Sequence, residues 1–200
     1  MTRTVVWDVD DVLNDLMRTW LDIVWTPAHS AQVMRYEDIR ENPPHGLLGI
    51  SADEYLASLD DFRLGAGYSQ QAPNPDILAW LQEHGRRCRH VALTATSLRA
   101  APTSAAWVLG NFGRWIREFA FIPALRVGEE LPIYDADKGA WIARFGPSLI
   151  LVDDSPENVA AATACGAAAL CWPRPWNGSR ATVNEALEAL TRLIDAQSAP

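Results

Sequence analysis

Cysteine is scarce in this chain and unpaired in pattern: Cys88, Cys165 and Cys171 are odd in number and form no CxxC spacing. A disulfide framework and a cysteine zinc site are therefore not indicated, and the three read as small buried apolar residues. Long apolar runs are lacking as well. No stretch approaches the roughly 18 apolar residues of a membrane span, and the opening Met-Thr-Arg-Thr-Val-Val-Trp is too short an apolar run for a signal peptide, so the cytoplasm is the expected location. Positive charge is in deficit, with 17 Lys and Arg against 25 Asp and Glu and a net charge of -8. A polynucleotide or an anionic membrane surface each requires a basic face, which leaves a small molecule as the expected partner. If that molecule is anionic, a metal cation or a few placed bases must offset the acidic field.

What is present is a regular alternation of apolar runs and capped helices. With 200 residues, 48% hydrophobic and 21% charged, the chain has room for one core domain and a modest insertion. Val5-Val6-Trp7 reads as a first strand running into Asp8-Val9-Asp10, two acids spaced i, i+2. Residues 12–25 carry Leu13, Leu16, Met17, Trp20, Leu21 and Val24 on a helical stripe that stops before Thr26-Pro27. The pattern then loosens. Asn42-Pro43-Pro44-His45-Gly46 marks a turn, and Ser51 with Glu54 forms a capping box for a short helix through Leu59. Residues 15–71 are thus expected to be a small helical cap inserted after the first strand, with 1–14 and 72–200 forming the core.

Asn74-Pro75-Asp76 starts a helix that Gly85 closes. Residues 89–93 form a second strand ending in Thr94-Ala95-Thr96-Ser97. A helix is expected over 104–119 and a third strand over 119–122. Asp137-Lys138-Gly139 opens a short helix, and residues 148–152 are the clearest strand, ending in Asp153-Asp154. Ser155 and Pro156 place a helix N-terminus beside that acid pair. Residues 167–172 give a fifth strand, and Thr182 with Glu185 caps the last helix. The fold class is α/β, a Rossmann-like doubly wound parallel sheet with helices on both faces.

In such a sheet the C-terminal ends of all strands meet at one edge, where ligands bind. Three apolar runs here end in chemistry at that edge: Trp7 into Asp8, Leu93 into Thr94, and Val152 into Asp153. Asp8, Asp10, Asp153 and Asp154 would repel one another unless a hard cation lay among them, and ligands that are oxygen only suit Mg²⁺. A metal site of this kind attracts phosphate, which Thr94 and Lys138 are placed to bind.

Asp8-Val9-Asp10 after a strand, Thr94 after the next, then Lys138, then Asp153-Asp154 before a helix, resemble the four motifs of the haloacid-dehalogenase-like superfamily. The resemblance covers residues 4–15 and 86–178. It implies a magnesium-dependent phosphomonoester hydrolase acting on a small phosphorylated molecule. Asp8 would attack phosphorus to give an aspartyl-phosphate, while Asp10 would protonate the leaving oxygen, then activate water and lend its backbone carbonyl to Mg²⁺. Thr94 and Lys138 would hold the phosphoryl group, Asp154 would ligate the metal, and Asp153 would support it. Asn158 stands where many relatives carry another Asp, which implies weaker metal affinity. Arg174-Pro175-Trp176-Asn177 is similar to a short motif of the 5'(3')-deoxyribonucleotidase-like branch, which makes a nucleoside monophosphate one candidate substrate and Arg174 a second-shell or substrate residue. Trp20, His45, Tyr55, Arg63 and Tyr68 are candidates for leaving-group selection. A phosphomutase and a non-catalytic phospho-ligand-binding protein stay open as alternatives, whereas the motif order argues against a receiver-type switch.

Overall fold

Period-two alternation in β1 (Thr4–Trp7) sends Val5 and Trp7 to one face of the sheet and Val6 to the other, and all three are fully buried. The same alternation in β4 (Leu149–Asp153) divides Ile150 and Val152 from Leu149 and Leu151. Strands covered on both faces must be apolar throughout, as parallel strands flanked by helices are. The computed structural model describes residues 3–30 and 34–196. Met1 and Thr2 of the opening run, and residues 31–33 of the expected insertion, lie outside the described residues.

The sheet is five-stranded and entirely parallel, in the order β3-β2-β1-β4-β5, with β2 at Arg89–Thr96, β3 at Ile116–Pro123 and β5 at Ala168–Cys171. The expected Rossmann-like α/β architecture is the one observed. Because the chain leaves β1 toward β2 and β3 and then returns to β4, the order reverses between β1 and β4. That reversal opens the crevice in which ligands of such sheets bind. The register aligns Trp7 with Ala92 and with Val152, so Asp8, the 93–94 step and Asp153 emerge at one level.

The helices start where their caps dictate. α1 (Leu16–Trp20) continues through a wider i→i+5 turn at Leu21–Trp25 into α2 (Thr26–Ala28). It thus runs past the expected stop, because the wider turn, closed by Thr26 N–H on Leu21 O, carries the chain across Thr26-Pro27. α3 (His45–Leu48) follows, then α4 (Ala52–Leu64), which has both halves of the Ser51–Glu54 capping box and extends five residues beyond Leu59. α5 (Ala66–Gln70) completes the stretch before the core resumes in α6 (Pro75–His84). Asn74 caps α6 and also donates from Nδ2 to Val12 O at 3.1 Å, tying this helix to the loop after β1.

One expected helix is corrected. α7 runs Ala101–Phe112 rather than 104–119, and Ile116 and Phe119 belong to β3, an edge strand. A turn closed by Trp115 N–H on Phe112 O separates the two, so apolar residues at helical spacing across Gly113 come from different elements. Thr94 also lies within β2, which continues to Thr96. α8 (Lys138–Ala143), α9 (Pro156–Ala164, capped by Ser155) and α10 (Val183–Ala196) occur near their expected positions. All three cysteines are free, but only Cys88 is buried as expected, Cys171 being half-buried and Cys165, just past the end of α9, exposed; no helix among the described residues is long and apolar enough to cross a membrane.

Trp7 anchors the larger core face. It packs edge-on to Trp80 at 5.7 Å and donates from Nε1 to His90 Nδ1 at 3.1 Å. Indole N–H only donates, so Nδ1 must be unprotonated and Nε2–H faces Gly85 O at 2.9 Å, which defines a neutral imidazole. Burial holds the His90 pKa below its ordinary 6.5. A base depressed in the folded state contributes stability above its unfolded value that is lost as pH falls through the folded one. NMR titration is therefore expected to find His90 as the Nε2–H tautomer charging only below pH 6.5, with global stability declining as it does. A His90 that charges at or above 6.5 contradicts this account.

Candidate active site

The N–H of Asp8 still donates to Val152 O at 2.9 Å, so the residue after β1 remains stitched to β4. Its Oδ1 accepts from Val9 N–H at 2.8 Å, which turns the carboxylate toward the sheet edge. The chain then reverses tightly. Asp10 is extended, Asp11 takes a left-handed φ of 62°, and Asn14 N–H closes an i→i+5 turn on Val9 O. Asn14 Oδ1 accepts from Asp11 and Leu16 N–H, and Asp11 Oδ1 accepts from Met17 N–H at 2.9 Å. Asp11 is thus a buried acid fixing the start of α1. Burial raises its pKa well above the usual range, against the pull of Arg174.

From the other side of the crevice, Lys138 opens α8 and reaches back under the sheet edge. Its Nζ lies 2.7 Å from Asp8 Oδ1 and 2.6 Å from Asp153 Oδ2, bridging the ends of β1 and β4. Asp153 is completely buried, and its Oδ1 accepts from Ser155 N–H and from Asn158 Nδ2 at 3.0 Å. Asp154 Oδ2 accepts from Trp176 Nε1 at 2.8 Å. Lys138 is the chain's only lysine, a signal the sequence offers directly.

Asp8, Asp153 and Asp154 present carboxylate oxygens within 4.8 Å of one another. At that spacing each like-charged pair costs about 3–4 kcal/mol for an effective dielectric near 20. Three ionised carboxylates against one ammonium leave two negative charges, an excess that adds to the effect of burial on Asp8 and Asp154. Burial first, and then Asp153, pushes the Asp154 pKa up to about 6. Burial raises Asp8 well above the usual carboxylate range, with Lys138 opposing the shift. Burial alone would lower Lys138, but Asp153 and Asp8 hold it above its ordinary value, so it stays charged. A buried set of hard oxygen donors with a residual charge of two fits one divalent cation such as Mg²⁺.

The other expected residues fall around this trio. A cavity of about 170 Å³ is lined from the sheet edge by Asp8, Thr94, Lys138 and Asp154, and from α1 and α4 by Met17, Tyr55 and Arg63. Asp10 lines the same cavity but stands outside the trio. Its Oδ2 accepts from Arg63 Nε and Nη2 at 3.1 and 2.8 Å, and its Oδ1 accepts from Asn14 Nδ2 and Tyr68 Oη at 3.1 and 3.0 Å. Of the residues considered for leaving-group selection, Tyr55 and Arg63 line the cavity and Tyr68 reaches Asp10. Trp20 instead packs in the core with Nε1 on Ser58, and His45 begins α3.

Arg174 braces the loop after β1 from behind. It donates from Nε to Asp11 O, from Nη2 to Asn14 O at 3.1 Å and from Nη1 to Tyr36 Oη, and it pairs with Asp15. Trp176 and Asn177, unassigned by the sequence reading, hold Asp154 by its side chain and, through Asn177 Nδ2 at 2.8 Å, by its backbone carbonyl.

No family model and no curated protein matches the chain. Solved structures do. A haloacid dehalogenase-like family hydrolase from Streptococcus pneumoniae superposes with a TM-score of 0.65 at 12% identity over 96% of this chain and 98% of its own. CbbY from Rhodobacter sphaeroides, solved with phosphate, gives 0.52 at 14% identity over 90% of each chain. A putative beta-phosphoglucomutase from Thermotoga maritima gives 0.54 at 15% identity over 96% of this chain and 99% of its own. A parallel sheet in the order β3-β2-β1-β4-β5, matched from end to end at this level of identity, shows that the chain has the fold of the haloacid-dehalogenase-like hydrolases.

Proposed function

We propose that this protein is a magnesium-dependent phosphomonoester hydrolase that works through an aspartyl-phosphate on Asp8. The observation that carries the reading is the Lys138 bridge between Asp8 and Asp153 beside Asp154, which leaves an anionic, oxygen-lined pocket at the strand-order reversal. Asp8, Asp153 and Asp154, with the Asp10 backbone carbonyl, are the groups to hold Mg²⁺. When bound, the cation supplies charge neutralisation for the nucleophile and the phosphoryl group.

Asp8 Oδ1 is committed to Val9 N–H and Lys138, so Oδ2 is the oxygen left for attack. The Oδ2–P bond forms as the P–O bond to the alcohol breaks, and Asp10 delivers a proton to that alcohol oxygen. Water then attacks phosphorus, giving its proton to Asp10, and the Oδ2–P bond breaks to release phosphate. Lys138 and Thr94 hold the transferring phosphoryl oxygens while Asn158, Trp176 and Arg174 keep the acids in place. Residues 15–71 serve as a cap that excludes water and contacts the alcohol. The substrate is a small phosphorylated metabolite, a nucleoside monophosphate among the candidates. Three free thiols suit the reducing cytoplasm.

Release of inorganic phosphate from an aryl phosphate, with and without Mg²⁺, tests the reading and separates hydrolysis from transfer within a substrate. Asp8→Asn is expected to abolish the Mg²⁺-dependent rate, and Asp10→Asn to lower it by about 10²–10⁴-fold. An Asp8→Asn protein as active as wild type would sink the mechanism. Thermal unfolding provides a test independent of turnover. Mg²⁺ at about 100 times its Kd should add roughly 2.7 kcal/mol of stability, and Asp154→Asn should remove the gain. A melting temperature indifferent to Mg²⁺ counts against the metal site.

A further inference from the structure

Arg63 is a buried cation that the hydrolytic cycle leaves without a task. It lies in the last turn of α4 with its side chain 8% exposed, and it is turned into the cavity. Together with Tyr68 and Asn14 it supplies four hydrogen bonds to Asp10. A carboxylate offers about four lone-pair positions, so Asp10 is saturated and has none to present to a leaving oxygen. The cavity is also small. Its volume of about 170 Å³ falls short of the roughly 300 Å³ at which ligand pockets begin. The Arg63–Asp10 contact therefore narrows the site on the side of α4.

The charges around Arg63 indicate what opens it. Arg63 Nη1 also lies 3.3 Å from Asp60 Oδ1, but Asp60 is already gripped by Arg126, from Nε at 2.8 Å and Nη2 at 2.9 Å. Asp10, Arg63, Asp60 and Arg126 thus form a neutral quartet. When Asp10 takes up a proton from solvent and turns to the leaving oxygen, the quartet loses one anion and Arg63 keeps a desolvated charge. An unpaired buried cation costs several kcal/mol unless another anion replaces the lost one.

We propose that Arg63 is the specificity-determining residue of this site, moving from Asp10 to a second anionic group, carboxylate or phosphate, on the alcohol part of the phosphomonoester. This deepens the hydrolase reading and rests on it. A neutral alcohol leaves Arg63 unpaired, whereas an anionic one restores the balance and frees Asp10 in the same step.

The test is calorimetric binding to Asp8→Asn protein with Mg²⁺, using three probes on one three-carbon frame: propyl phosphate, 3-phosphooxypropanoate and propane-1,3-diol bisphosphate. The anionic probes are expected to bind at least tenfold more tightly than propyl phosphate, about 1.4 kcal/mol, and their ratio to each other separates carboxylate from phosphate. Adding Arg63→Gln should bring the ratio to propyl phosphate close to one. Arg63→Lys should keep part of it, as a point charge without the guanidinium fork. Should Arg63→Gln not fold, Asp10→Asn releases Arg63 instead and should widen the preference. Equal binding of all three probes, a preference that survives Arg63→Gln, or one unmoved by Asp10→Asn overturns the proposal. Aryl phosphate turnover without discrimination overturns the role of Arg63 alone, and discrimination without turnover overturns hydrolysis alone.

Discussion

The ammonium of Lys138 is the contact on which the rest of the site depends. It touches the acid that ends β1 and the acid that ends β4, so it joins the two strands at the point where the sheet order reverses. Without it, carboxylates within 4.8 Å would face one another in a buried crevice, and removing one partner of such a cluster typically costs about 3–5 kcal/mol. With it, one unit of the acid charge is compensated and two remain. Those two charges make the crevice a buried cluster of unneutralised oxygen donors rather than a closed salt bridge. The fold positions the acids, but the charge left over gives them something to do.

Much of this was legible because the sequence writes caps and strand ends in local code. Asn74-Pro75, Ser51 with Glu54, Asp137 and Ser155 each satisfy first-turn N–H groups, and each starts a helix where it was expected. The apolar runs ending at Trp7 and Val152 are buried on both faces, so they admit little other than strand. The stretch after Phe112 was misread because Trp115, Ile116 and Phe119 satisfy helical spacing, while the Gly113 turn that separates them carries only a weak signal. Arg63 was visible only as one candidate among five. A buried arginine on a helix of ordinary amphipathic pattern has nothing local to mark it, and its partner Asp10 is 53 positions away.

The loop after β5 ties two strand ends together through one short motif. Arg174, Trp176 and Asn177 are consecutive apart from one proline, yet they reach two different strand ends. Arg174 grips the carbonyls of Asp11 and Asn14, and the other two hold Asp154. Carbonyls that turn outward in a left-handed step at Asp11 would otherwise be buried without donors. The guanidinium satisfies the carbonyls of Asp11 and Asn14 together, so the tight reversal that carries Asp8 and Asp10 is held in place from the far side of the sheet edge.

Sixteen of the chain's seventeen cations are arginine, so the single lysine marks a different requirement. Arginine presents a planar fork, which suits Arg126 across Asp60 and Arg174 across several carbonyls. Between Asp8 and Asp153 the need is for a compact charge that contacts one oxygen of each acid and still has a third N–H to donate. Local backbone leaves little room for anything wider. A Cβ at Gly139 would come 2.8 Å from Ala161 Cβ, so α8 lies hard against α9 and delivers position 138 directly beneath Asp153. A guanidinium there would have to displace one of the two acids it serves, which makes lysine the cation that bridges the pair and leaves the cleft open above it.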